Sequence, residues 1–377
     1  MKYCIGGQND ISIYGLNLLL DLGIPKKNIL VLHNRNDEGV HKWQPSFRKY
    51  CADHNIKSVE LKDIYDIENL IFLSLEYDRI IKTKRFKTDK LYNIHFSYLP
   101  AYKGMFTSIF PLLYGETKSG VTLHKIDDGI DTGEIISQIK FDLPLGTTGY
   151  KLYNLYIKHS KILLKKNIND IINSNITSKS QDVLGASYFS KKSIGFSNLS
   201  INFYKTCFEV CNYVNAFSFR PYQFIKFQDI DIVVAQSTKH KSTEKPGSIV
   251  KNEKYYFEVS TIDYNILLLK DALNEILEAA QKNDLELLSF FETLGYDLND
   301  KNQKGWNALI VASYHGSHDV VQFLLKKEFD VNCININGTS ALMYAMTYAS
   351  KTNDLEIMKT ILSYGANLNH MDFKGYD

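Results

Sequence analysis

Apolar positions in the first half of the chain alternate between short unbroken runs and longer stretches of helical period. Residues 2–5, 28–34 and 70–76 are compact apolar runs bounded by turn formers, which predicts buried strands. Residues 11–23 repeat their apolar positions every three or four residues and stop at Gly23, and 46–55 show the same period, so both predict helices. The residues between the first strand and the first helix, Gly6–Asp10, predict a turn. A short helix follows over 108–115. Residues 119–126 and 134–141 predict a strand pair around the turn Asp127–Gly133, and 147–170 predict a long amphipathic helix opened by Thr148. Strand and helix in alternation predict an α/β fold, an open and mostly parallel sheet flanked by helices. Ligands of such sheets gather at the carboxyl ends of the strands. Gly6-Gly7 follows the first strand without G-x-G-x-x-G spacing, so no dinucleotide fingerprint is read.

The pattern changes after residue 177. Residues 178–268 are rich in aromatic and β-branched side chains, with a helix over 206–217, an extended stretch over 218–235, a polar stretch around KHKSTEKPG, and strands over 254–260 and 265–269. This predicts a small helix-plus-sheet unit that supplies acceptor and dimer contacts. Residues 269–377 form a repeat. Gly305 and Gly338 open similar segments 33 residues apart, Asn299 and Asn332 close them at the same spacing, and Asn369 follows after 37. The extra four fit an insertion near Ser350–Asn353. The G-x-[TS]-x-L start, the [DN]-[VL]-N end and the period resemble the ankyrin repeat, in about three copies. The resemblance implies a β-turn and two antiparallel helices in each.

Composition narrows the class. The chain has 377 residues, too many for one ordinary core. Net charge is +2 and the basic residues are spread out, so no nucleic-acid footprint is expected. The start MKYCIGGQND has no long apolar segment and no run of 18 apolar residues occurs, so neither secretion nor membrane spanning is expected. Five scattered cysteines do not make a disulfide scaffold. Cys207 and Cys211 fall on one helical face, but no further ligand pair stands at zinc spacing, so buried thiols in a reducing cytoplasm are expected.

Candidate chemistry concentrates in LYNIHFSYLPAYKG and GVTLHKIDDGIDTGE. Asn93 and His95 stand two apart, so in an extended segment they share a side. Asp131 lies in the Gly-rich turn that the strand pair brings back. Amide, imidazole and carboxylate together suit transfer of a carbonyl group between nitrogens: one stabilises an oxyanion, one moves a proton, one supports the imidazole. Spacing alone also suits a histidine that satisfies a local hydrogen bond and an Asp-Gly turn kept for its backbone.

NIHFSYLPAYKG and GVTLHKIDDGIDTGEII, with the strand and helix order around them, resemble the folate-dependent formyltransferases over residues 1–175. The resemblance implies catalysis by Asn93, His95 and Asp131, with N10-formyltetrahydrofolate as formyl donor and no metal. It implies that the strand end Ser74, Leu75, Glu76 and Tyr77 meets the pterin and that Asp127, Asp128 and Gly129 shape the folate pocket. Asp127 and Asp128, with His124 nearby, also offer metal ligands, which formyl transfer does not need. The short middle unit and ankyrin tail depart from the members that act on methionyl-tRNA. They point to the branch acting on nucleotide-linked amino sugars of surface polysaccharides. The acceptor so implied is a dTDP-linked 3-amino-3,6-dideoxyhexose of glucose configuration, with the 4-amino-4,6-dideoxy sugar as runner-up. Two other readings are a formyltetrahydrofolate hydrolase and an ankyrin interaction protein with an inactive α/β domain.

Lys103 and Gly104 bring backbone near the substrate, or Lys103 is simply solvated. Arg220 offers a donor fork for a diphosphate and Tyr222 a stacking face for a pyrimidine, against aromatic packing beside Pro221. Trp306 follows the repeat glycine on a displayed turn, and Tyr314, His315, His318 and the Tyr344–Tyr348 region supply further aromatic and polar groups. It is a candidate site for a second nucleotide or a protein partner, against a packing role. A homodimer is the expected assembly.

Overall fold

In the computed structural model, residues 1–327 and 329–376 are described. They divide into two compact units: Met1–Val40 with Ser46–Lys251 and Glu258–Leu267, and His41–Pro45 with Asn252–Phe257 and Leu268–Asp377.

The first unit alternates as the apolar runs predict. It begins β1 (Lys2–Gly7), α1 (Asn9–Asp21), β2 (Ile29–His33), α2 (Phe47–Asp53), β3 (Lys57–Ser58), β4 (Leu70–Leu75) and β5 (Leu91–His95). Next come β6 (Lys103–Gly104), α3 (Phe110–Leu113), β7 (Lys118–Lys125), β8 (Ile135–Asp142) and the long α4 (Gly149–Asn173). Seven strands form one sheet in the order β3-β2-β1-β4-β5-β7-β8. It is parallel as far as β5, while β7 runs antiparallel to β5 and β8 antiparallel to β7. Ile5, Val31, Leu73, Ile94 and Val121 meet Leu16 and Leu19 of α1 and Leu163 and Leu164 of α4 in the largest core. Tyr156 is fully buried there, and its hydroxyl meets Ser119 Oγ at 2.8 Å and the carbonyl of Thr107 at 2.9 Å. Thr148 caps α4 by accepting from the Lys151 N–H.

Gly6 and Gly7 depart from the expectation of a turn. Both remain in β1, opposite Ser74 and Leu75 of β4. A Cβ on Gly7 would fall 1.9 Å from the carbonyl oxygen of Leu75, so the glycine is required by the close approach of two backbones.

After α4 come β9 (Tyr188–Phe189), α5 (Cys207–Ala216), β10 (Ile225–Phe227), β11 (Ile230–Lys241), β12 (Ile249–Asn252), β13 (Tyr256–Val259) and β14 (Tyr264–Lys270). The last five pair in the order β10-β11-β14-β13-β12. β11 runs through residues that the sequence reads as a polar connection, because its second half is largely exposed and carries no apolar alternation. Glu258 is buried beneath it, yet ringed by donors: His240 Nδ1 at 3.0 Å, Lys251 Nζ at 3.2 Å and Asn265 Nδ2 at 2.9 Å. Both Cys207 and Cys211 are buried free thiols.

Among its described residues, the second unit contains three helix pairs: α6 (Leu273–Gln281) with α7 (Leu285–Leu294), α8 (Ala308–His315) with α9 (His318–Lys326), and α10 (Ala341–Thr352) with α11 (Glu356–Ser363). Helix α8 buries Ala308 to Ser313 without a break, as a helix stacked between neighbours must. One side chain closes each repeat turn. Asn302 Oδ1 accepts from the N–H groups of Lys304 and Trp306, Asn335 Oδ1 from those of Asn337 and Thr339, and Asp372 Oδ1 from those of Lys374 and Tyr376. Among the described residues, no helix is long and apolar enough to cross a membrane.

Candidate functional site

The site forms where the parallel sheet turns antiparallel. Asn93 lies opposite Ser74 on one side and His124 on the other, and His95 lies opposite Thr122. Strand alternation sends Asn93, His95 and His124 to one face, while Tyr92 and Ile94 enter the core. The connection after β7 returns Asp131 to that face. Its Oδ2 accepts from the Gly104 N–H at 2.9 Å and lies 3.4 Å from His95 Nδ1. Its Oδ1 lies 3.4 Å from Asn93 Nδ2 and 3.6 Å from His124 Nε2. The three residues named from sequence are therefore together.

His95 is nearly enclosed. Its Nε2 is 2.8 Å from the carbonyl of Tyr102, so in the neutral ring Nε2 carries the hydrogen and Nδ1 is the acceptor. Burial lowers its pKa; the Asp131 carboxylate and the Tyr102 carbonyl oppose that without cancelling it. Burial would raise the Asp131 carboxyl, but His95, the nearby His124 ring and the Gly104 N–H hold it well below the usual carboxylate range. At neutral pH the pair is thus a neutral imidazole beside a carboxylate.

His124 is a member of the site that the sequence reading left as a neighbour of two acids. Its Nδ1 donates to the Lys125 carbonyl at 2.7 Å, so Nε2 is left to accept from Asn93 Nδ2 at 3.1 Å. This orients the Asn93 amide. One hydrogen is held by His124, and the other faces Asp131 at a distance weak enough to yield to a better acceptor. Its place follows from register: β5 and β7 pair antiparallel with 124 opposite 93, and no single turn in the sequence joins those two strands. Among the described residues, no cluster of His, Cys, Asp and Glu is arranged to hold a metal ion.

A cleft of about 910 Å³ opens over these groups. Ser74, Glu76, Tyr77, Gly104, Asp127 and Gly129 line it with the trio. Leu75 is buried in the core, its carbonyl accepting from Ser12 Oγ at 2.9 Å. Asp128 turns to Thr83 Oγ1 at 2.6 Å and Lys84 Nζ at 3.3 Å. Lys103 lines a second cleft of about 770 Å³, with Asp127, Gly133 and Gln181.

Glu76 has a left-handed backbone, φ +61°. The Tyr153 hydroxyl lies 2.8 and 2.9 Å from its two carboxyl oxygens, and Asn34 Nδ2 donates to its carbonyl at 2.7 Å. Burial pushes its pKa up to about 8, against hydrogen bonds from Tyr153 and Asn9. Tyr153 in turn packs against Phe219, centroids 5.6 Å apart. Arg220 and Tyr222 are not in the cleft wall: the Arg220 guanidinium sits 4.8 Å from the Phe224 ring and Tyr222 is 69% exposed. Trp306 in the second unit is half-buried rather than displayed, its ring 4.8 Å from Tyr344 and 5.5 Å from Tyr314.

Comparison with known proteins identifies the family. The family profile "Formyl transferase" matches residues 68–168, and "Ankyrin repeats (3 copies)" matches 276–372. The crystal structure of WlaRD, a sugar 3N-formyl transferase in the presence of dTDP and 5-N-formyl-THF, is 43% identical with a TM-score of 0.67, covering 72% of this chain and 98% of that one. The N-formyltransferase from Helicobacter canadensis, in complex with folinic acid and dTDP-3-aminofucose, is 40% identical with a TM-score of 0.67, covering 72% and 100%. Methionyl-tRNA formyltransferase of Ureaplasma urealyticum serovar 10 is 30% identical over 235 residues, 59% of this chain and 75% of that protein. The chain therefore belongs to the folate-dependent formyltransferase family, close to the sugar N-formyltransferases, and carries ankyrin repeats behind its catalytic domain.

Proposed function

We propose that this enzyme moves a formyl group from N10-formyltetrahydrofolate to the amine of a dTDP-linked 3-amino-3,6-dideoxyhexose, in the cytoplasm, for surface polysaccharide synthesis. The observation that carries the acceptor is the 43% identity to a sugar 3N-formyl transferase over 98% of its length. Methionyl-tRNA formyltransferase is the second reading, at 30% identity over 75% of its length. The sugar enzymes match more residues across nearly whole chains, so they set the acceptor class.

The cleft suits the donor in size and chemistry. Its volume falls in the range of small-molecule sites, roughly 300–1,000 Å³. Apolar Ile80 and Ile130 line it beside the carboxyl of Glu76 and the amide of Asn93, a wall for a flat heteroaromatic ring with polar edges. The bound tetrahydrofolate supplies an activated formyl amide. Asn93 donates its N–H to the formyl oxygen as charge gathers there. His95 takes a proton at Nδ1 from the attacking sugar nitrogen, and Asp131 pairs with the imidazolium. The C–N bond to the sugar forms, the bond to N10 breaks, and the proton held by His95 goes to N10.

Arg220 and Tyr222 are assigned to the nucleotide end, the assembly is a C2 homodimer, and Trp306 is assigned to a second ligand or a protein partner. Rates should be measured with the dTDP-linked 3-amino-3,6-dideoxyglucose, its C4 epimer and the 4-amino isomer, with methionyl-tRNA as a further acceptor. The 3-amino compound of glucose configuration is expected to be used best. A preference for the 4-amino sugar or for the tRNA would overturn the assignment.

A further inference from the structure

The segment after α4 grips both loops of the site. Ser178 Oγ donates to Glu134 Oε2 at 2.6 Å, and Lys179 exchanges backbone hydrogen bonds with Ile135 at 2.8 and 2.9 Å. Gln181 Nε2 then donates to two carbonyls, those of Asp131 and Gly133, each at 2.8 Å. Farther on, Ser187 Oγ accepts from the Tyr102 N–H at 2.8 Å, and its carbonyl accepts from Lys103 at 2.9 Å. β9 then pairs with β6 and fixes Gly104, the donor to the Asp131 carboxylate.

The two gripped loops carry the two groups that face His95. Tyr102 presents its carbonyl to Nε2, and Asp131 presents its carboxylate to Nδ1. Both have left-handed backbones, φ +59° and +53°. Residues other than glycine stay in that region when their surroundings over-determine it. At Asp131 the constraint acts on two ends. Gln181 holds its main-chain carbonyl, and the Gly104 N–H holds its side chain.

We propose that Gln181 is a positioning residue for formyl transfer: its amide spans the carbonyls of Asp131 and Gly133 and fixes the turn with the Asp131 carboxylate facing His95. It acts through Asp131 rather than on either substrate. Freed of those bonds, the turn relaxes, the carboxylate swings from Nδ1, and the imidazolium loses its partner. The Ser178–Glu134 contact ties the same segment to the turn three residues farther on and does not bear on the Asp131 carbonyl.

This inference rests on the formyl-transfer reading above, and one set of rate measurements separates the two. Gln181→Met keeps the length of the side chain and removes both donors. Misplacement by about 1 Å can cost on the order of 100-fold in rate, so kcat should fall ~10- to 100-fold, with KM for donor and acceptor unchanged within about 2-fold. The acid limb of the kcat profile should move to lower pH. Burial lowers the His95 pKa and Asp131 raises it; withdrawing Asp131 leaves burial, His124 and Lys103, which lower it, opposed only by the Tyr102 carbonyl. Ser178→Ala should keep kcat and the acid limb of the wild type. Wild-type kcat and pH profile in Gln181→Met would overturn the proposal, as would the same loss in Ser178→Ala. A Gln181→Met protein without a cooperative thermal transition would assign the amide to folding and overturn it too. A wild-type enzyme that leaves the donor unspent with acceptor present would remove the formyl-transfer reading itself, and this proposal with it.

Discussion

Asp131 Oδ2 lies 3.4 Å from His95 Nδ1, so a proton taken by the imidazole meets a carboxylate already in place. The same Oδ2 accepts from Gly104 at 2.9 Å, which keeps it beside the ring. The imidazole is arranged to receive positive charge rather than to carry it at rest.

His95→Asn and Asp131→Asn should each lower kcat by about 100-fold or more, the scale on which a positioned acid–base group contributes. The double variant should lose little beyond the worse single one, because both act on one proton. Steady-state kinetics of the three variants checks this, and additive losses would show separate roles.

His124→Phe should lower kcat by roughly 10-fold, through an Asn93 amide released to rotate, by comparison with the ~100-fold effect of losing an oxyanion donor outright. The Michaelis constant for the donor should hardly change. Asn93→Ala should abolish the sensitivity to residue 124, which a double-mutant cycle on kcat would reveal.

The pH dependence of activity follows from the neutral ring. Burial depresses the His95 pKa, so the ring remains a base below the ordinary imidazole range. The acid limb of kcat should then lie below about pH 6.5, the unperturbed imidazole value. Stability falls in the same direction: the unfolded chain binds the His95 proton more readily, so His95 weakens the fold as pH falls below that value.

Glu76 gives a different signature. Its pKa is pushed up to about 8 by burial, so the folded state holds a proton that the unfolded chain releases. Stability from this group should fall as pH rises from the ordinary carboxyl range to about 8, and level off beyond. The difference in melting temperature between Glu76→Gln and wild type across that window isolates it. Tyr153→Phe removes the hydroxyl that meets both carboxyl oxygens. It should weaken donor binding by roughly 5-fold, the worth of about one hydrogen bond, and leave kcat in place.

β1, β2 and β4 were legible because their runs are apolar on both faces, and α4 because its period is long and Thr148 caps it. Asn93, His95 and Asp131 were legible as a constellation, since two share a strand face and the third lies in a turn whose flanking strands are unmistakable. β6 and β9 were not, because two-residue strands carry no period. β11 was under-read because its outer half faces solvent. His124 needed register, and the part played by Gln181 needed a contact 50 residues away in sequence. The place of Trp306 in the repeat predicts a displayed ring, but its packing against Tyr314 and Tyr344 is a tertiary fact.

The central claim is formyl transfer from a folate to a sugar amine by Asn93, His95 and Asp131. The most direct test follows N10-formyltetrahydrofolate consumption with and without a dTDP-linked 3-amino-3,6-dideoxyhexose, in the wild type and in His95→Asn. Stoichiometric formylation of the sugar, dependent on both acceptor and His95, is the predicted result. Folate turnover indifferent to the sugar, or undiminished in His95→Asn, would contradict it.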